Sequence, residues 1–285
     1  MSTALHERRS IRDFKPDPVP EALLAAVLED ARWSPSWSNT QPYRVALTKG
    51  PARDALAAEL CEQFDTGMAV RRGSALKKLI GLVSRKGMPT PDVAVPMKYP
   101  EDLQPARQAT GFGLYRLLGI SRDDYAARNA QMRRNYEFFG APVISFVFVH
   151  RDLGMYAALD AGVFIQSLML SAHAHGLGTC AQAALAVWAA PVRERFKVPA
   201  HYKLLVGVAI GFVSAHPVNE YNPGRQPVEG LLLAPSHFEG SRRARVADRE
   251  QGAGVGEGVG HGPEAGTLGR HASRRPELPH PPPSR

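Results

Sequence analysis

Residues 157–175 read as one long helix with apolar side chains on nearly every side. A helix of that kind has no solvent face, so the chain must bury it all round, either in a core or in a subunit interface. Its apolar stretch, 157–172, is interrupted by Asp160 and Gln166, which argues against a membrane span. Two runs bracket it. Residues 143–149 are unbroken apolar and largely β-branched after Gly140-Ala141-Pro142, and 203–212 have the same character. Both read as buried strands whose sheet must be covered on both faces.

The remaining elements are read around that centre. After Pro20, apolar Leu23, Leu24, Val27, Leu28 and Ala31 recur at helical spacing, with proline near the start where its missing N–H costs nothing. The helix runs into the turn PSWSNTQP, then a strand over 43–48, a break at Lys49-Gly50-Pro51 and a second helix over 51–64. Residues 66–106 are rich in Lys, Gly and Pro and read as a long irregular segment, a possible lid. Residues 107–139 read as mostly helical, and their aromatics Phe112, Tyr115, Tyr136, Phe138 and Phe139 are expected in the core. Gly176-Leu177-Gly178 ends the long helix. Beyond 238 apolar periodicity stops, so the domain is expected over 1–238 with a disordered tail over 239–285. The glycine run 254–260 neither follows a strand nor opens a helix, so it is not read as a dinucleotide loop.

Composition narrows the class of function. A chain of 285 residues with 44% hydrophobic content can bury a full core. The net charge of +8 is spread among acids rather than gathered in a stripe, which disfavours nucleic acid and favours attraction of small anionic ligands. Cys61 and Cys180 form no CxxC or zinc spacing, so no metal is expected and reduced thiols in the cytoplasm are. The N-terminus lacks the apolar region of a signal peptide, and no membrane association is expected. No Ser-His-Asp arrangement, P-loop or HExxH can be defended; His173 and His175, two apart, do not share a helical face.

The chemistry-bearing residues lie in short segments. Arg8, Arg9, Ser10 and Arg12 make a donor-rich cluster suited to phosphate, because guanidinium forks match phosphate oxygens and keep their charge. Pro35, Ser36, Trp37, Ser38 and Asn39 form a turn with several small donors and acceptors, suited to the edge of a planar heterocycle. Residues 176–184, GLGTCAQAA, are mostly small, which would permit a close approach to the backbone of the kind the resemblance below implies. Arg133-Arg134-Asn135 and the segment Asn222-Pro223-Gly224-Arg225-Gln226-Pro227-Val228 carry no such signal alone, Arg225 reading as an ordinary surface arginine, and join the set only through the resemblance that follows.

In this order and spacing the segments resemble the nitroreductase family of FMN-dependent oxidoreductases, over roughly residues 5–233. The resemblance implies an α+β fold, a mixed central sheet flanked by helices, in a homodimer with FMN at the subunit interface. It implies that Arg8, Arg9, Ser10 and Arg12 hold the FMN phosphate and reach the ring edge, with Arg225 returning to the phosphate. Pro35 to Asn39 would approach FMN from the partner subunit. Ala181, Gln182, Ala183 and Ala184 would lie against the ring, with the Ala183 N–H toward flavin N5, and Asn135 would reach the pyrimidine. NAD(P)H would be the electron donor in a ping-pong cycle, with no catalytic side chain required. The segment from Gly119 to Tyr125, with Arg128 and the stretch Asn135 to Pro142, looks most like the branch that includes nitrobenzoate reductases. The alternatives are a quinone or enone reductase, a flavin-consuming or dehalogenating relative, or a flavin-binding protein without turnover.

Overall fold

The computed structural model describes residues 2–73, 87–94 and 98–233. The chain divides into two units, Met1–Arg225 and Gln226–Arg285. In the second, the described part is a short 3-10 turn, Val228–Leu231. The expected disordered tail over 239–285 and the glycine run 254–260 lie outside the described residues, as does much of the possible lid.

The first unit is built on a sheet of β1 (Tyr43–Lys49), β2 (Val143–His150), β3 (Gly178–Gln182) and β4 (Tyr202–Gly211), in the order β1-β2-β4-β3. The expected mixed sheet is antiparallel in all its strand pairings. Parallel pairing occurs at isolated bridges, Ser10 with Thr179 and Thr90 with Trp188. Central strand β2 explains why its sequence lacks polar alternation: seven of its eight residues are buried. Its two-residue period sorts two cores. Ile144, Phe146 and Phe148 pack with Leu56, Leu60 and Phe64. Val143, Val147 and Val149 pack with Val27, Phe164 and Leu168 on the other face.

Helices α1 (Ser2–Glu7), α2 (Glu21–Ala31) and α3 (Gly50–Arg72) precede two helices without buried residues, α4 (Gln104–Leu117) and α5 (Tyr125–Arg133). Helix α3 is longer than the expected 51–64 and takes up the start of the segment read as irregular. Tyr136, Phe138 and Phe139 are core residues as expected, whereas Phe112 is exposed. Phe138 and Phe139 hold the left-handed φ values 58° and 55°, a strain of roughly 1–3 kcal/mol each. Arg53 braces this turn, donating to the carbonyls of Glu137 at 2.6 Å and Ala141 at 2.9 Å.

The long apolar helix is α6 (Gly154–Ala174), followed after β3 by the short α7 (Ala189–Arg195). By length and composition α6 could cross a bilayer, but one of its faces packs in the core with α2 and the sheet. Its burial is not all round in a single protomer. Ala157, Ala161, Phe164, Leu168 and Ala172 form a buried stripe, while Met155 (80% exposed), Leu159 (61%) and Tyr156 (50%) face outward.

Candidate active site

Strand β3 lies at the sheet edge, and the chain leaving α1 runs along it. Ser10 bridges Thr179, and the Ile11 N–H donates to the Thr179 carbonyl at 2.9 Å. Gly178 permits this approach: a Cβ there would sit 2.7 Å from side-chain atoms of both Ile11 and Val213. The docking delivers Arg8, Arg9, Ser10 and Arg12 to a cleft of about 330 Å³, whose opposite wall runs from Tyr221 to Arg225. That wall turns through Gly224, at φ +75°, with the Gly224 N–H donating to Asn222 Oδ1 at 3.0 Å. Segments more than 200 residues apart thus line one basic cleft.

The charges in this cleft are mutually unfavourable. Burial lowers the pKa of the Arg8 guanidinium, and the nearby charge of Arg225 lowers it further. Arginine still keeps its proton, so a bound anion would relieve the repulsion. Four guanidinium groups and a serine hydroxyl form a donor set suited to a phosphate monoester.

Two residues without a recognisable signature hold the cleft together. Asn219, buried in a 3-10 turn, binds the backbone at Arg12 and Asp13 through Oδ1 and at Asp13 and Ser214 through Nδ2. Asp13 accepts from Ser214 Oγ at 2.5 Å and from Arg134 at 2.6 Å. Burial raises the Asp13 pKa, but those two hydrogen bonds outweigh it and leave the carboxyl below its ordinary value. Arg134, adjacent to the predicted Asn135, is therefore committed to bracing the N-terminal segment.

Further along β3 the side chains alternate. Ala181 and Ala183 are exposed and small, whereas Gln182 is buried. The Gln182 Nε2 donates to the Asn135 carbonyl at 2.9 Å and contacts its Oδ1 at 3.4 Å. Its Oε1 is buried and has no hydrogen-bond partner among the described residues. Two predicted segments, 47 residues apart, meet here; Ala184, next along, is half-buried. The surface combines an edge carrying small exposed alanines with a basic cleft of about 330 Å³ at the start of the same strand, a combination that fits FMN. The Cys180 thiol is buried and pushed up to about 11 by that burial, so it is held as an inert thiol. His173 and His175 lie near Glu7 and Asp30 respectively. Among the described residues no His, Cys, Asp and Glu cluster could hold a metal ion.

The turn Pro35 to Asn39 is elsewhere in the protomer. Ser38, Asn39 and Gln41 take left-handed φ values of 50°, 55° and 46°, and Ser36 Oγ accepts from the Gln41 N–H at 2.9 Å. The turn is anchored on α6: the Trp37 N–H donates to the buried Asp160 carboxylate, and the Trp37 ring lies 4.6 Å from that of Tyr156. The basic segment instead meets α6 near His173. Thirteen residues of helix separate Asp160 from His173, a length of about 20 Å. A single protomer does not bring this turn to the basic cleft.

The nitroreductase family model matches residues 5–212. The chain is 36% identical over 225 residues to the 4-nitrobenzoate reductase of Nocardioides sp. (strain LMS-CY), covering 78% of this chain and 84% of that protein. Its fold resembles the FMN and NADPH-dependent nitroreductase NfnB from Sphigopyxis sp. strain HMH, with a TM-score of 0.72 and 31% identity over 82% of this chain and 98% of that one. It also resembles the FMN-dependent NfnB from Mycobacterium smegmatis in complex with NADPH, with a TM-score of 0.69 and 30% identity over 82% of this chain and 99% of that one. The chain belongs to the nitroreductase family.

Proposed function

We propose that this protein is an FMN-dependent NAD(P)H oxidoreductase that reduces nitroaromatic compounds, an activity assigned to the domain expected over 1–238. The observation that carries the reading is the basic cleft in which Arg8, Arg9 and Arg12 meet Arg225 beside the edge of β3. Those groups hold the phosphate of FMN. The small, exposed side chains of Ala181 and Ala183 let a planar ring approach the end of the strand. FMN, when bound, supplies a carrier that takes hydride from NAD(P)H at N5 and passes it to the electrophile. The protein's task is to orient two planar reactants, exclude bulk water from their contact and place positive charge near the reduced ring. Protons come from solvent.

The active unit is a homodimer. The outer face of α6, with Met155, Leu159 and Tyr156, is apolar and continuous with exposed Trp37. Pairing through that face removes it from water and brings the Pro35 to Asn39 turn of one protomer toward the basic cleft of the other, which one chain alone does not achieve.

The substrate is read as an anionic nitroaromatic such as a nitrobenzoate. Arg122 lies over Phe112, and Arg128 over Tyr115 and Tyr125, giving α4 and α5 a surface that is both aromatic and positive. The reduced, buried cysteines fit a cytoplasmic enzyme. An anaerobic visible spectrum tests the function: NADPH or NADH should bleach the bound flavin and 4-nitrobenzoate should restore it. Flavin that bleaches but is not reoxidised by any nitroaromatic would refute the substrate class, and flavin that no pyridine nucleotide bleaches would make this a carrier rather than an enzyme.

A further inference from the structure

Asn219 lies seven residues beyond the end of the family match at 212, and its amide is fully engaged. Oδ1 accepts from the Arg12 N–H at 2.8 Å and the Asp13 N–H at 3.2 Å. Nδ2 donates to the carbonyls of Asp13 at 2.8 Å and Ser214 at 3.1 Å. The side chain is 7% exposed. A planar amide fixed at both ends leaves little freedom for the two segments it joins.

Those segments are the two walls of the basic cleft. The chain ending at Arg12 carries Arg8 and Arg9, and the chain leaving Asn219 reaches Arg225 six residues later. Arg8 and Arg225 line the same cleft, near enough for their like charges to repel one another. Asn219 ties one wall to the other through four hydrogen bonds to backbone groups, beside a single longer one from Arg9 Nη1 to the Glu220 carbonyl at 3.4 Å. A second tie, from Asp13 to Ser214 and Arg134, does not pass through Asn219, so the fold of this region has independent support.

We propose that Asn219 is a positioning residue that holds the two walls at the spacing of one phosphate, and so sets the preference of this protein for FMN over riboflavin. The inference rests on reading the cleft as the FMN phosphate site. An asparagine that only stabilised the fold would affect both flavins alike. One that spaces the arginines affects only the flavin that carries a phosphate.

The test compares full-length wild type, Asn219→Ala, Asn219→Asp and Arg225→Ala, each stripped of flavin and titrated with FMN and with riboflavin by fluorescence quenching. Asn219→Ala should lower FMN affinity about tenfold and leave riboflavin affinity unchanged. Asn219→Asp retains the acceptor contacts but turns lone pairs onto the carbonyls of Asp13 and Ser214. It should shift the ratio in the same direction, and it decides the matter if the alanine variant does not fold. Equal losses for the two flavins, or no loss, would overturn the proposal. Should Arg225→Ala lower FMN binding selectively while the Asn219 variants do not, only the role of Asn219 fails. If wild type binds both flavins equally, the phosphate reading itself falls and the proposal with it.

Discussion

The backbone N–H of Trp37 donates to the buried carboxylate of Asp160, at 3.2 Å to Oδ1 and 3.1 Å to Oδ2. Asp160 interrupts an otherwise apolar stretch of α6 because it fastens the left-handed turn Ser38–Asn39 onto that helix. Asp160→Ala leaves the Trp37 N–H without its acceptor and should cost roughly 1–3 kcal/mol. Thermal unfolding measures that loss. Flavin release from the dimer should quicken as well, because the turn is proposed to serve the partner's site; an unchanged release rate with the same loss of stability would confine Asp160 to a local role.

Arg8 and Arg225 line the same cleft and repel one another, so in the proposed site each would carry part of the phosphate interaction and part of the repulsion. Arg225→Ala and Arg8→Ala should each weaken FMN binding about tenfold or more with the fold intact. Removing one also relieves the other, so the losses should not add in the double variant. Equilibrium titration with FMN at two salt concentrations reads both effects. Wild-type retention in both single variants would remove the phosphate assignment.

Leu159 is 61% exposed on the outer face of α6. Leu159→Arg places a charge where the proposed dimer excludes water, and should convert the protein to a monomer in sedimentation velocity. The protomer should remain folded, because Leu159 contributes nothing to the buried stripe. Its FMN affinity should fall, because the Pro35 to Asn39 turn no longer reaches the cleft. A flavin-loaded monomer would overturn the two-subunit site.

The hydrophobic period carried the central fold and said little about its edges. Residues 143–149 and 203–212 are strands because nothing in them can face water, and both are recovered as β2 and β4. The sequence Gly178-Thr179-Cys180-Ala181-Gln182 has no such period; it is a strand because β4 offers it a ladder. Helix α6 shows the converse problem: its apolar face packed in the core and its apolar face left exposed, proposed above to meet another subunit, are chemically alike. Arg8, Arg9 and Arg12 show in the sequence as a donor-rich cluster, but such runs are commonly only solvated, and Arg225 alone reads as an ordinary surface arginine; the resemblance to the family singled them out, and the structure brings them to one cleft. Asn219 was not legible in the sequence, because one buried asparagine acquires its meaning only from the backbone groups around it.

Gly113 of α4 lies against Tyr221, whose hydroxyl donates to the Thr110 carbonyl at 2.8 Å. A Cβ on Gly113 would meet the Tyr221 hydroxyl at 2.6 Å, so Gly113→Ala must push helix and ring apart although alanine favours the helix by about 1 kcal/mol. Tyr221 opens the wall that ends at Arg225. The variant should therefore lower FMN affinity while raising the intrinsic helicity of α4, and Tyr221→Phe in the same background should not restore binding, because the ring remains. Tyr221→Ala with Gly113→Ala removes the clash and should recover part of the lost affinity. No recovery in that double variant would show that α4 and the Arg225 wall are not coupled through this contact.

The buried thiols give the fold an alkaline limit. Burial pushes both Cys61 and Cys180 from an ordinary 9.0 up to about 11. A thiol with a raised folded-state pKa holds its proton more tightly in the native than in the unfolded chain. Its stabilising effect is complete below pH 9.0 and is lost as pH climbs toward about 11. Burial also raises the Tyr136 phenol, which acts in the same direction at higher pH. The melting temperature should fall across the thiol window, and Cys180→Ala should fall less steeply than wild type. Alkylation by iodoacetamide at neutral pH should be slow in the native protein and fast in denaturant; rapid native labelling of Cys180 would contradict both its burial and the direction of its shift.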